Sequence, residues 1–513
     1  MVAKILSGAL QGISGILIEV EVDITNGIPA FDIVGLPDSA VRESRERVRS
    51  AIKNSGFDMP AKRITVNLAP ADIRKEGPAF DLPIAIGIMA CMQNITLNSI
   101  DGVFIAGELS LDGNIRPISG VLPMVASAVE MGIETCILPF ENGTEAALVR
   151  GATIYAPNSL SQLMEHFQGL TMQQFISSEE NFEHQEIAVQ SLLDFADVRG
   201  QEKVKRALKI AAAGGHNILL IGPPGSGKTM MARRLPGIMP GLNFEESMDV
   251  TKIYSVAGLI ADKGALIYQR PFRAPHHTIS YAALVGGGRI PKPGEVSLAH
   301  RGVLFLDELP EFGRNVLEAL RQPVEDRQVT ISRASSTITY PCDFMLVASM
   351  NPCPCGFFGD SGRCSCSQKD VNRYMDKISG PMLDRIDMHV EAARVEYADF
   401  SGSNSGQPGE TTADIRNAVE GAQIIQRTRY QNTGILQNAQ LDASNIEKYC
   451  PLDDDCKGLI AKIYDVMGLS ARGNHKILKW SLTIADLAGE EDISRDHLFE
   501  AVQYRSLDRK NRQ

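Results

Sequence analysis

The run Gly222-Pro223-Pro224-Gly225-Ser226-Gly227-Lys228-Thr229 constrains this chain more than any other stretch in it. Four apolar residues, Ile218-Leu219-Leu220-Ile221, precede it, and a helix-forming segment, 230–235, follows. Strand, glycine-rich turn and helix in that order form a phosphate cradle. The glycines let successive backbone N–H groups turn inward, and the helix N-terminus adds the positive end of its dipole. Lys228 is placed to reach the β- and γ-phosphates, and the Thr229 hydroxyl to bind Mg²⁺. The expected ligands are therefore ATP and Mg²⁺, bound by Gly222, Pro223, Pro224, Gly225, Ser226, Gly227, Lys228 and Thr229.

Two more apolar runs end in polar residues suited to such a ligand. Val303-Leu304-Phe305-Leu306 leads into Asp307-Glu308. Strands buried on both faces read as continuous apolar runs, and ligands meet such sheets at the strand carboxyl ends. Asp307 is expected to hold Mg²⁺ and Glu308 to polarise the attacking water; a capping Asp-Glu pair before a helix is the alternative. The run 344–350 ends at Asn351, from which an amide orients that water; a plain loop Asn is the alternative. Arg385, within Met382-Leu383-Asp384-Arg385-Ile386-Asp387, follows Gly380-Pro381, which reads as a helix break. It suits an arginine finger for a neighbouring subunit's γ-phosphate, against a surface Arg paired with Asp384 or Asp387. Ser470-Ala471-Arg472 opens a helix, and Arg472 would sense the triphosphate from a helical lid.

At 513 residues the chain exceeds one core, and length alone suggests about three domains. Residues 1–165 form an α+β or α/β unit, with a half-buried strand at 16–24, a charged amphipathic helix at 38–54, a strand at 63–68 and an apolar helix at 82–92. A polar linker, 166–193, precedes a core at 194–400; a Ser/Gly/Asn/Pro stretch, 401–412, precedes helices over 413–513. The net charge of −11 excludes a global basic footprint, so any nucleic-acid contact must be local. No apolar run reaches the length of a membrane span, and residues 1–20 lack a signal-peptide core. The chain reads as cytoplasmic, without membrane partners.

These pieces, in this order, resemble the AAA+ superfamily. The resemblance implies a P-loop core with a helical lid and a ring, usually a homohexamer, whose sites are shared between subunits. Between the nucleotide motifs, 270–278 and the glycine- and proline-rich 286–295 look like the helix-2 insertion (about 268–295) of the magnesium-chelatase-like branch. The alternating 328–333 and 336–339 resemble its pre-sensor hairpin. By that resemblance Arg270, Arg273, Arg289, Lys292 and Arg333 would line a channel around a nucleic-acid strand, with Phe272 stacked on a base; pairing of these basic residues with acids inside the ring is the alternative. The phrases 194–201, 297–302 and 470–489 narrow the likeness to the ComM/YifB type. The family implies a hexameric helicase driving branch migration on single-stranded or branched DNA in homologous recombination and natural transformation, with recombination proteins among its partners. A protein remodeller or metal-chelatase motor subunit without DNA binding is the alternative.

Glu76-Gly77-Pro78-Ala79-Phe80-Asp81 and Pro117-Ile118-Ser119-Gly120-Val121-Leu122 resemble two motifs of the Lon protease domain. Ala79 stands where that fold has its Ser and Leu122 where it has its Lys. The expected domain is Lon-like, without peptidase chemistry. The overall fold class is thus multi-domain α/β: an AAA+ P-loop core with helical lid, preceded by a Lon-protease-like α+β domain.

Four of the nine cysteines cluster as Cys353-Pro354-Cys355 and Cys364-Ser365-Cys366. Two close thiol pairs build a tetrahedral zinc site, which would stabilise a loop (353–366) with little core of its own. A redox-labile thiol set and free cysteines are the alternatives. Cys342 lies near enough in sequence to compete as a ligand.

Overall fold

The computed structural model describes residues 2–96, 99–176, 193–260, 265–288, 291–333, 336–359, 362–394 and 409–505. The chain divides into two units, one of Met1–Ala188 with Phe244–Tyr268, the other of Val189–Asn243 with Gln269–Gln513.

The first unit is built on β1 (Val2–Gln11) and β2 (Ser14–Thr25), a long antiparallel pair. In β2 the buried Ile18, Val20 and Val22 alternate with Glu19, Glu21 and Asp23, the period-2 pattern of a strand with one covered face. The remaining strands are β3 (Ala30–Val34), β4 (Arg63–Ala69), β5 (Val103–Ile105), β6 (Glu108–Leu109), β7 (Ile115–Arg116), β8 (Thr135–Ile137), β9 (Thr153–Tyr155) and β10 (Gln174–Ile176). Eight of these ten form one mixed sheet in the order β10-β9-β8-β5-β1-β2-β4-β3, and β6-β7 is a separate hairpin. The helix Ser39–Asn54 starts at Asp38, whose carboxylate accepts from the Val41 N–H at 2.8 Å. The helix Asp81–Cys91 is apolar almost all round and nearly all buried.

Two boundaries differ from the sequence expectation. The ordered N-terminal unit runs past 165: helix Leu160–Phe167 continues beyond it, and β10 pairs antiparallel with β9. The rest of the expected linker, 177–192, lies outside the described residues. Residues 244–268, read as part of the ATPase core, group with the first unit instead. Helix Phe244–Ala257 carries Ser255, whose hydroxyl donates to the buried Glu145 carboxylate at 2.5 Å, while the Ser255 carbonyl accepts from the Gly120 N–H.

The second unit holds β11 (Ile218–Ile221), β12 (Phe272–Arg273), β13 (Gly286–Gly287), β14 (Lys292–Pro293), β15 (Val303–Leu306), β16 (Gln328–Arg333), β17 (Ser336–Pro341), β18 (Met345–Met350) and β19 (Met388–Glu391). Five form an all-parallel sheet, order β12-β15-β18-β11-β19. Every residue of β11, β15 and β18 is buried, as helices on both faces require. Helices Glu202–Gly214, Thr412–Arg429 and Ala471–Ala488 share one core with this sheet, with Trp480 and Ile477 fully covered. β16 and β17 form the expected hairpin. Most of 401–412 lies outside the described residues.

The expected insertion begins later than 268. Phe272 and Arg273 are the sheet's edge strand, paired in parallel with β15. Gly380-Pro381 does not break a helix; it opens the short helix Gly380–Leu383, where Pro is tolerated in the first turn.

Candidate functional site

β11, β15 and β18 lie side by side in parallel, so their carboxyl ends deliver Gly222, Asp307 and Asn351 to one edge of the sheet. The Gly222 N–H donates to the Met350 carbonyl at 3.2 Å, which ties the start of the loop to the end of β18. A Cβ on Gly222 would sit 2.3 Å from the Ala392 carbonyl oxygen, so only glycine fits there. Helix Lys228–Ile238 follows directly from the loop, two residues earlier than the sequence pattern suggested.

Lys228 is only 8% exposed. Its Nζ donates to the Gly222 and Pro223 carbonyls at 2.8 and 2.9 Å, and lies 3.4 Å from Asn351 Oδ1. Burial holds its pKa below the usual lysine value, offset by the charges of Asp307 and Glu308. The amine is thus a desolvated cation satisfied by neutral carbonyls, placed where an anion would bind most strongly.

The Thr229 hydroxyl donates to Asp307 Oδ2 at 2.7 Å. The other Asp307 oxygen accepts from the Ser349 hydroxyl and from the Glu308 N–H at 3.1 Å. Hydroxyl and carboxylate oxygen adjacent at this edge form the hard donor set Mg²⁺ prefers. Glu308 has a left-handed backbone (φ +55) and a side chain 57% exposed, so its carboxylate projects from the strand end into solvent. His277 Nδ1 lies 3.7 Å from Glu308 Oε2.

Lys228, Thr229, Asp307, Glu308 and Asn351 are therefore brought together. Ser349 and His277 were missed by sequence reasoning. A Ser inside an otherwise apolar buried strand was the available signal for the first; the adjacent pair His276-His277 was the signal for the second, set aside because neighbouring residues do not share a helix face. Arg385 and Arg472 stand outside this hydrogen-bonded set among the described residues. Arg385 is paired with Glu325 at 2.7 Å, donates to the Pro381 carbonyl and has a side chain 12% exposed. The sequence alternative had paired it with Asp384 or Asp387. Arg472 is exposed in the first turn of helix Ala471–Ala488, behind the Ser470 cap. From the same helix Lys476 Nζ donates to the Asp384 and Ile386 carbonyls, so this helix is tied to the Arg385 turn.

The expected channel residues are mostly engaged elsewhere. Phe272 is half-buried and stacks on Phe305, with ring centroids 5.9 Å apart. Arg273 makes a two-pronged pair with Glu295 at 2.6 and 2.8 Å, and Arg270 donates to the Pro240 and Arg301 carbonyls. An edge strand must satisfy its long side chains against the core it covers, and these three do so. Lys292 is exposed on the β13-β14 hairpin. Arg333 ends β16, and Arg289 lies outside the described residues.

The four thiols of 353–366 converge. Cys353 Sγ lies 3.3 Å from Cys355 Sγ and 3.9 Å from Cys364 Sγ, and Cys355 Sγ lies 3.7 Å from Cys364 Sγ. With Cys366 all four sulfurs fall within 4.8 Å of one another. Metal–sulfur bonds of about 2.3 Å in a tetrahedron put sulfurs about 3.8 Å apart, so the group fits a metal and is far from disulfide geometry. Cys342 does not join it: it is buried, its thiol faces the Pro323 carbonyl, and burial pushes its pKa up to about 12.

In the first unit, Ala79 occupies the turn before helix Asp81–Cys91, and Leu122 is fully buried. Neither offers a nucleophile or a base. Among the described residues no helix is long and apolar enough to cross a membrane.

Family models described as magnesium chelatase subunit ChlI match residues 194–400 and 20–142, and one described as the ChlI C-terminal part matches 409–505. Competence protein ComM of Haemophilus influenzae is 43% identical over 98% of this chain and 97% of its own length. The uncharacterised protein YifB of Escherichia coli is 42% identical over 98% and 96%. Lon protease 2 of Bacillus subtilis is 28% identical over 170 residues, 30% of each chain.

Proposed function

The chain belongs to the magnesium-chelatase-like family of ComM and YifB, and from that membership we propose that it is a ring-forming, ATP-dependent DNA motor that promotes branch migration. The family is of the AAA+ type and implies an ATPase that uses Mg²⁺. The observation that carries the ATPase reading is the hydrogen-bonded set at the strand ends, Lys228 with Asn351 and Thr229 with Asp307.

In this reading Lys228 exchanges its carbonyl partners for the β- and γ-phosphates. Thr229 and Asp307 would hold Mg²⁺, which when bound screens the phosphate charge. Glu308 takes the proton of the attacking water, and Asn351 orients that water by its amide. Arg385 leaves Glu325 to reach the γ-phosphate of a neighbouring subunit, and Arg472 closes over the nucleotide from the lid. The competence role printed for the H. influenzae relative supports DNA as the polymer. The exposed hairpin carrying Lys292 is the surface kept for it.

The thiol cluster is proposed as a structural zinc site of Cys353, Cys355, Cys364 and Cys366, on the sulfur spacing above. The N-terminal unit is proposed as a Lon-like domain without peptidase chemistry, serving ring assembly or DNA contact.

A second reading, a remodeller of proteins without DNA binding, is favoured by one observation. Net charge is −11, and Arg270, Arg273 and Phe272 are spent within the core. Binding of fluorescent single-stranded and forked DNA, with a non-hydrolysable ATP analogue and a salt series, separates the two. The motor reading expects nucleotide-dependent binding that weakens as salt rises; no binding at low salt favours the remodeller.

A further inference from the structure

The thiol loop and the phosphate-binding loop touch. From the end of β18 the chain passes Asn351, whose amide faces Lys228, and reaches Cys353 two residues later. A tight turn follows, in which the Gly356 N–H donates to the Cys353 carbonyl at 3.0 Å. Gly356 has a left-handed backbone, φ +88. A Cβ there would lie 2.6 and 2.8 Å from Cδ and Cγ of Pro224, and 3.9 Å from Cγ of Asn351. The backbone beside Cys355 is therefore seated on the proline ring of the nucleotide loop, and only glycine permits so close an approach. On the far side the loop is anchored as well. Ser367, next to Cys366, caps helix Gln368–Met375 through a reciprocal pair of bonds with Asp370. Between these two anchors the four sulfurs converge, and the Arg363 guanidinium lies 6.0 Å from the centre of the Phe357 ring.

We propose that 353–366 is a metal-held brace: a thiophilic divalent cation of the zinc class, by closing the four sulfurs, presses Gly356 against Pro224 and holds the phosphate-binding loop in its receptive shape. The inference rests on the metal reading of the cluster and adds to it a task, positioning of Pro224 and Asn351. Without the cation the short Gly/Ser/Asp-containing loop has no core of its own to keep Gly356 in place. Phosphate affinity depends on backbone N–H groups set to within a fraction of an ångström, so displacing the loop at Pro224 weakens nucleotide binding with every loop residue unchanged.

The test uses the full chain, kept reduced, with zinc content measured by mass spectrometry and affinity measured with a fluorescent non-hydrolysable ATP analogue. Near one zinc per chain is expected. Stripping it with a chelator is expected to weaken binding roughly tenfold or more, and zinc return to restore it. Gly356→Ala is expected to keep its zinc and show a comparable loss. Stripped protein that binds the analogue as tightly as the loaded form overturns the brace, and so does Gly356→Ala at full affinity. Should stripping unfold the chain, the Gly356 variant decides alone. Absence of zinc under reducing conditions sinks the metal reading and the brace's cation, whatever the variants show.

Discussion

Asp81, buried in the N-terminal unit, and Lys228, buried in the nucleotide unit, are met in different ways. In the N-terminal unit Asp81 and Glu145 are closed off by several donors each. Asp81, fully buried, takes a two-pronged contact from Arg47 at 2.6 and 3.0 Å and a third bond from the Leu109 N–H. Glu145 is shared by Asn142, Ser255 and the Leu122 N–H. In the nucleotide unit Lys228 is desolvated against neutral carbonyls, and Glu308 projects into solvent from a left-handed backbone. A scaffold settles its charges; a site with chemistry to perform keeps some of them open to a ligand.

That contrast breaks most sharply at Lys228 and Glu308. Lys228→Ala is expected to lower ATP turnover by roughly 100-fold or more while the melting temperature stays near that of the parent. Glu308→Gln should retain ATP analogue and lose turnover by at least about 100-fold, since the general base is gone. Fluorescent-analogue binding and phosphate release measure both. If either variant hydrolyses ATP normally, the site is elsewhere.

In the N-terminal unit the expected loss is of stability. Arg47→Met leaves the buried Asp81 carboxylate unpaired and is expected to cost about 3–5 kcal/mol, read as an early step in thermal unfolding. Full stability in that variant would mean that the pair is not closed in solution.

Acid should separate the units next. Burial holds His389 down to about 3, and His216 and His300 to about 4, all three in the nucleotide unit. A depressed histidine favours the neutral form in the fold. Stability is therefore complete above the unfolded value near 6.5 and is lost as pH falls from there toward the folded values, by about 2 kcal/mol for each group at pH 5. The nucleotide unit is expected to melt earlier at pH 5 than at pH 7.5, whereas the N-terminal unit has no fully buried histidine among its described residues. Calorimetry at both values checks this, and equal shifts in the two units contradict it.

The smallest effect is expected at the vestigial position. Ala79→Ser restores a hydroxyl with no base nearby, because Leu122 is apolar and buried. No peptidase activity on a fluorogenic peptide and a stability change within about 0.5 kcal/mol are expected.

How much of this was legible in the sequence follows the same division. The nucleotide motifs could be read because phosphate chemistry fixes residue types at fixed spacing, and buried parallel strands are continuous apolar runs; β11, β15 and β18 fall where expected. Helix Ser39–Asn54 announced itself by Asp38 and its periodicity. Phe272 and Arg273 were misplaced because a two-residue edge strand has no alternation to read, and Pro271 and Pro275 beside it resemble loop signals. Residues 244–268 lie inside the stretch 194–400 that the family model matches, yet they pack with the first unit, and sequence order does not show which unit a helix packs on. The contact between Gly356 and Pro224 was invisible for the same reason, although both glycine-rich loops stood out separately. Glu325, the partner of Arg385, is distant from it in sequence and carries no motif.

The central claim is that the open charges at the strand ends drive movement on DNA. The most direct measurement is steady-state ATP turnover by the full chain, with and without forked DNA, across a dilution series at low salt. The account predicts turnover that rises with protein concentration and with DNA, falls back as salt is added, and is absent in Lys228→Ala. Turnover that is the same at every dilution and indifferent to DNA would contradict it.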